Sequence, residues 1–236
     1  MNVLDIADSI DGYITACNNS FSNSEARKNY KYELSNISKA AEKYLTEVID
    51  TLPLLKGCEI VILDSTADSG FPHTRAPKYI CLSVSMCEGA SKNPETFKTT
   101  LIHEGIHIHQ RNNRGFWDIY LRDNNWIPVA KDTIPEKYLD SIRLNPDTIG
   151  IPFYAFNGRH IPLPLFSPGR NSFESVEVKW FDMKAGVLFH ESPKEFIKKY
   201  GNNIKQPEHP YEIYAELFSE AGLKTNNSIL HELSNI

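Results

Sequence analysis

The stretch that most constrains this chain is Thr99-Thr100-Leu101-Ile102-His103-Glu104-Gly105-Ile106-His107-Ile108. In a helix, residues four apart lie on one face about one turn from each other, so His103 and His107 can both reach a single metal ion. Glu104, one step round, then approaches a metal-bound water rather than the metal itself. A solvated helix can carry the same letters by chance. Here they stand among Leu101, Ile102, Ile106 and Ile108, where an imidazole or a carboxylate without partners would be costly to bury. The start of the helix is also marked: Asn93 is a good N-cap, Pro94 suits the first helical position, and Glu95 lies where the helix dipole favours an anion. The expectation is a buried helix that gives zinc two ligands.

A catalytic zinc takes three protein ligands and keeps one position open. The foremost candidates for the third lie in Pro210-Tyr211-Glu212-Ile213-Tyr214-Ala215-Glu216-Leu217-Phe218. Glu212 and Glu216 share the helix face opposite the apolar one. One can therefore ligate the ion while the other accepts the second ring N–H of a ligating histidine. The alternative for the pair is a solvated helix face. His209, His160 and His190 compete for the same position, and His209 alternatively caps its own helix. His109 is expected to point away from the His103/His107 face and to be solvated or held structurally.

The rest of the chain reads as an α+β layer around this helix. Residues 1–22 are weakly patterned, with a short helix at 3–16. From Ser24 to Leu52 apolar residues recur every three and four, which predicts a long amphipathic helix covering one face of a sheet. Residues 58–63 and 78–85 read as strands separated by a turn-rich loop over 64–75. Residues 122–150 are loop-like, with a short helix at 135–143. Phe153–Phe156 and His160–Phe166 form the arms of a hairpin whose Asn157-Gly158 suits a type I′ turn, and Pro162 and Pro164 confine the second arm to an edge. Val176–Asp182 adds a strand. Ser192-Pro193-Lys194-Glu195 reads as a capping box opening a helix that Gly201 stops, and the last helix ends at Gly222. A single domain results: an N-terminal lobe over 1–121, a β-rich insertion over 122–191, C-terminal helices over 192–222 and a tail over 223–236.

Composition removes other classes. With 25 basic against 30 acidic residues and a net charge of -5, no broad basic surface for nucleic acid is expected. No apolar run approaches the roughly 20 residues that span a bilayer, and the first residues hold no hydrophobic signal core. Cys17, Cys58, Cys81 and Cys87 make no C-x-x-C pair, so neither a cysteine zinc site nor a disulfide framework is expected, and a reducing compartment is the simpler assumption. Oligomeric state is not legible.

His103-Glu104-Gly105-Ile106-His107 followed by Glu212-Ile213-Tyr214-Ala215-Glu216-Leu217-Phe218 resembles the gluzincin metallopeptidases, and is most similar to the zinc domain of the anthrax lethal factor type. The resemblance implies a zincin-like fold, a small sheet packed on the N-terminal helix and the active-site helix, with Zn2+ as cofactor. It makes Glu212 the third ligand and Glu216 its support, behind His103. It covers about 25 residues, and the 105 positions between His107 and Glu212 require an insertion. In such a site zinc-bound water is activated by Glu104 as general base and a peptide or protein is the substrate. Tyr154, Tyr211, Tyr214, His160 and His209 are candidate oxyanion donors, and the strand at 78–85 is expected to edge the cleft and pair with extended substrate. A non-catalytic structural or binding protein that keeps the metal site is the alternative. Loss of proteolysis in Glu104→Gln separates the two.

Overall fold

A computed structural model describes residues 1–170 and 172–224. Along the chain these residues form helices α1 (Val3–Asp11), α2 (Tyr13–Asn18), α3 (Phe21–Arg27) and α4 (Lys39–Asp50), then strands β1 (Glu59–Leu63), β2 (His73–Arg75) and β3 (Tyr79–Ser83). Helices α5 (Val84–Gly89), α6 (Pro94–Asn112) and α7 (Arg114–Asp123) follow, and then β4 (Trp126–Val129) and α8 (Glu136–Leu139). The chain continues through β5 (Phe153–Phe156), β6 (His160–Phe166), β7 (Val176–Asp182) and β8 (Val187–Phe189) to α9 (Lys194–Tyr200) and α10 (Pro210–Lys224). This is an α+β protein. Among the described residues no helix is long and apolar enough to cross a membrane. Contacts divide the chain into two compact units: Met1–Gly12, Asn29–Asn113 and the segment from Leu217 in one, Tyr13–Lys28 and Arg114–Glu216 in the other.

The first unit is built on a three-stranded sheet of order β1-β3-β2. β3 pairs in parallel with β1 and antiparallel with β2, and all five of its residues are buried. It is the central strand, not the edge expected to receive a peptide. The three-residue β2, concealed in the turn-rich stretch after β1, takes its second side. The expected long helix over 24–52 is likewise two elements. Ser38 ends the extended stretch and caps α4, its hydroxyl accepting from Ala41 N–H and donating to Glu88. Upstream, Leu34 bridges Leu63 beside β1, with Ser35 N–H bonded to Ile62 O at 2.9 Å. Pairing at the free side of β1 thus overrides the helical period, and α4 packs on α5 and on the turns at Pro53–Leu55 and Ala90–Lys92.

A buried cation fastens α1 to this sheet. Arg75 makes two 2.8 Å bonds to the Asp11 carboxylate, one at 3.2 Å to Asp8 and one at 2.9 Å to the Tyr32 hydroxyl. Burial pulls its pKa down, but these partners hold it above the ordinary arginine value. The network continues as Tyr32 O–H donates to His73 Nε2, since His73 Nδ1 donates to Phe71 O.

The second unit carries a five-stranded sheet of order β4-β5-β6-β7-β8, antiparallel throughout. Asn157 and Gly158 both have positive φ, as the type I′ hairpin requires. The second arm, β6, is central rather than an edge strand. It pairs along its whole length with β7 but meets β5 only at Phe156 and His160. Pro164 O accepts from Arg143 N, and Phe166 N donates to Ser141 O. Even-numbered residues of β6 therefore turn away from β7, and Pro162 and Pro164 lack an N–H on the flank that β5 has left. Residues 135–143 hold only the four-residue α8, and β4 and β8 fall where no strand was expected. α9 forms as expected and ends at Gly201, but Pro193 is its N-cap with no side-chain capping bond, so the capping box does not form. α10 runs past Gly222 to Lys224, and the tail expected over 223–236 lies from 225 onward outside the described residues.

Replacing Arg75 with alanine strands the buried Asp11 carboxylate. The expected loss of stability is about 3–5 kcal/mol, read as a lowered urea midpoint at unchanged m-value.

Candidate metal centre

α6 presents the two histidines and Glu104 on its middle turns. Pro94 begins the helix where a missing N–H costs nothing, and Asn93 O accepts from Phe97 N at 3.0 Å. The Asn93 side chain makes no capping bond, contrary to expectation. Gly105 is small for a reason. A Cβ there would stand 2.7 Å from Leu55 Cδ2 and 3.0 Å from Leu54 Cδ2, because α6 lies directly on the Pro53–Leu55 turn.

The ring Nε2 atoms of His103 and His107 are 3.0 Å apart. Two nitrogens each about 2.0–2.1 Å from one tetrahedral ion would be about 3.3 Å apart, so little movement separates this geometry from shared ligation. His107 Nδ1 donates to Gln110 Oε1 at 2.8 Å, which leaves the Nε2 lone pair facing His103. Glu104 is 2% exposed, His107 1% and Glu212 1%. His109, expected at the surface or held structurally, is also buried.

Aromatic packing fixes the first turn of α10. Tyr214 packs edge-on against Tyr120, with centroids 5.0 Å apart, and Trp117 lies 6.2 Å from Tyr211 and 6.3 Å from Tyr214. The Tyr214 hydroxyl bonds to that of Tyr200 at 2.8 Å, and Trp126 Nε1 donates to Tyr200 at 2.9 Å. His209 caps the helix, its Nδ1 accepting from Tyr211 N–H while Nε2 donates to Pro152 O. Glu212 Oε1 accepts from Asn145 Nδ2 at 2.7 Å. The same amide donates to Glu208 Oε1 at 2.9 Å, and Asn145 Oδ1 accepts from Asp147 N–H. Arg143 pairs with Glu208. Burial raises the Glu208 carboxyl pKa, Arg143 opposes the rise and the Glu212 charge adds to it.

The ligand atoms of His103, His107 and Glu212 all lie within 4.8 Å of one another, a group able to hold a metal ion. Two imidazoles and a carboxylate match the donor set of a zinc site with an open position. Among the described residues, no competing histidine joins such a group. His160 stands on β6 with Nε2 3.8 Å from Asp182, and burial lowers its pKa. His190 is exposed beside Glu177. The Glu216 carboxylate accepts the backbone N–H groups of Lys205 and Gln206 and so fastens the approach to α10. The Tyr154 hydroxyl donates to Asp118 at 3.0 Å. Burial raises the hydroxyl pKa of Tyr154 and Tyr214, and that of Tyr211 to about 12, so all three keep a proton to donate at neutral pH. Compared with protein-family models, with curated proteins and with solved structures, the chain matches none.

Gln110 and Asn145 are not among the site residues expected from the sequence. Gln110 had a signal available, three positions beyond His107 on the same face. Asn145 had none. Gln110→Leu and Asn145→Leu are each expected to weaken metal affinity roughly 10–100-fold, measured by competition with a chromogenic chelator, with far-ultraviolet circular dichroism unchanged. Gly105→Ala is expected to lose up to about 2 kcal/mol in urea unfolding, the overpacking cost of about 1–3 kcal/mol less the helix-propensity gain of about 1.

Proposed function

We propose that this chain is a zinc-dependent peptide hydrolase in which His103, His107 and Glu212 hold the ion and Glu104 is the general base. The observation that carries the reading is the convergence of two imidazoles and a carboxylate within 4.8 Å, with a buried carboxylate one residue from the first ligand. A zincin-like fold and a gluzincin relationship belong to the same proposal, and rest on the order of the two motifs in the sequence.

Bound there, zinc supplies a Lewis acid for the scissile carbonyl and lowers the pKa of water from 15.7 toward 7. The chain's own residues do the rest. Gln110 holds His107 in the tautomer that offers Nε2, and Asn145 orients the Glu212 carboxylate. Glu104 takes the proton of the attacking water and passes it to the leaving amine, a contribution of roughly 10²–10⁴ in rate.

Glu104→Gln is expected to bind zinc like the wild type and to lose at least about 10²-fold in hydrolysis of unfolded casein. His103→Ala, His107→Ala and Glu212→Ala are expected to lose zinc in dialysis against a mild chelator. Equal casein cleavage by wild type and Glu104→Gln removes Glu104 from the mechanism. Stoichiometric zinc without cleavage by the wild type leaves a metal-holding binding protein.

A further inference from the structure

The loop that carries Arg143 and Asn145 is held from two sides, both within the second unit. Toward β6, Ile142 bridges Leu165, Arg143 N–H donates to Pro164 O, and Phe166 N–H donates to Ser141 O. Along an extended chain the N–H and C=O groups of successive residues point to opposite sides. Ile142 O and Leu144 N–H therefore face away from β6, on the side where a further strand would pair. Without a partner there, each would cost free energy comparable to a lost hydrogen bond.

Asn23 of α3 supplies both partners. Its Nδ2 donates to Ile142 O at 2.9 Å, and its Oδ1 accepts from Leu144 N–H at 2.9 Å. One carboxamide thus takes the place of a peptide group of a neighbouring strand. The other Nδ2 hydrogen goes to Ser20 Oγ at 2.9 Å, so both amide hydrogens are used, and Asn23 is 2% exposed. The loop grips α3 in return. Asp140 accepts from Phe21 N–H at 2.9 Å and from the hydroxyls of Ser20 and Ser22 at 3.0 Å.

Leu144 immediately precedes Asn145, whose amide donates to Glu208 and, at 2.7 Å, to Glu212. Fixing the peptide groups on either side of Arg143 fixes the point from which that amide reaches. We propose that Asn23 is a positioning residue of the candidate metal centre, setting the backbone from Ile142 to Leu144 so that Asn145 presents its N–H to the Glu212 carboxylate. It acts through two backbone groups and one intervening side chain. As a statement about the metal centre this rests on the reading of Glu212 as a ligand; as a statement about the loop it does not.

Zinc affinity is measured by competition with a chromogenic chelator in the full-length wild type, Asn23→Ala, Asn145→Leu and the double variant. Asn23→Ala is expected to weaken affinity about 10-fold, the lower end of what residues that orient a ligand contribute. In the Asn145→Leu background the same change should cost no more than about 2-fold, because the residue through which it acts is gone. An equal loss in both backgrounds, or no loss in either, overturns the proposal. Ala26→Gly weakens the same helix but leaves the Asn23 amide in place, and is expected to lower the urea midpoint with affinity unchanged. A loss of affinity there equal to that of Asn23→Ala assigns the effect to stability and overturns the proposal too. Ser20→Ala removes one bond to the Asn23 amide and serves if Asn23→Ala does not fold. A smaller loss of affinity that Asn145→Leu abolishes is then expected; no loss, or one that persists, overturns the assignment. Amide hydrogen exchange at Leu144, followed without zinc, separates the loop from the metal. Asn23→Ala should speed it at least about 10-fold, and unchanged exchange overturns the clamp itself. Faster exchange in a chain whose wild type holds no zinc overturns Glu212 as a ligand and leaves Asn23 as a clamp of the loop alone.

Discussion

The constraint on which the site depends is the burial of ionisable groups. Glu104, His107 and Glu212 are almost completely out of water, and the Glu208 side chain, four positions before Glu212, is mostly buried. An isolated carboxylate in such surroundings would cost several kcal/mol or more and would take up a proton instead. The chain meets this cost with hydrogen bonds aimed at single atoms: Gln110 at His107, Asn145 at both glutamates and Arg143 at Glu208. A divalent cation held by two imidazole nitrogens and a carboxylate would offset the same cost more fully, because its charge would act in a low dielectric.

Precision of that kind needs rigid supports, and the two helices obtain them differently. α6 is held by aliphatic packing so close that Gly105 has no room for a methyl group against Leu54 and Leu55. The start of α10 is held by rings and hydroxyls. Trp117, Trp126 and Trp180 are fully buried in the second unit, and Phe196 lies 4.8 Å from Trp180 and 4.9 Å from Tyr200. Tyr200 then joins this cluster to Tyr214 through its hydroxyl. Rings supply large buried area at little rotamer cost, and their polar tips add direction. Glu212 leaves a helix turn fixed on both sides, at Tyr211 and at Tyr214.

What was legible in the sequence follows the range of the interaction involved. The helical run through His103 and His107, the Asn157-Gly158 turn, β7 and the stop at Gly201 are set by neighbours within a turn or a hairpin, and all form where expected. The failures belong to non-local pairing. Ser24 to Leu52 has a good helical period, yet Leu34 pairs with Leu63 across the chain and the helix begins only at Ser38. β3 is central because β2 pairs on its second side, and β2, three residues long, is too short to stand out in the sequence. Pro162 and Pro164 cannot donate, yet they do not make β6 an edge: they face the flank that β5 leaves, where Ser141 and Arg143 supply the pairing instead.

The same distinction divides the site. His103, Glu104 and His107 are bound together by helical pitch, so five letters suffice to place them on one helix. Gln110 extends the same geometry by three positions. Asn145 stands 67 positions before Glu212, in a stretch whose asparagines, aspartates and prolines look like ordinary turn residues. Its own Asx bond to Asp147 N–H is what a turn would use in any loop. Only the return of the chain from β6 through α9 to α10 gives its amide two carboxylates to hold, and both of its N–H groups are then taken. A ligand is constrained by the ion it must touch, which spacing can reveal. A residue that orients a ligand is constrained by where the fold carries a loop, and no local pattern has to record it.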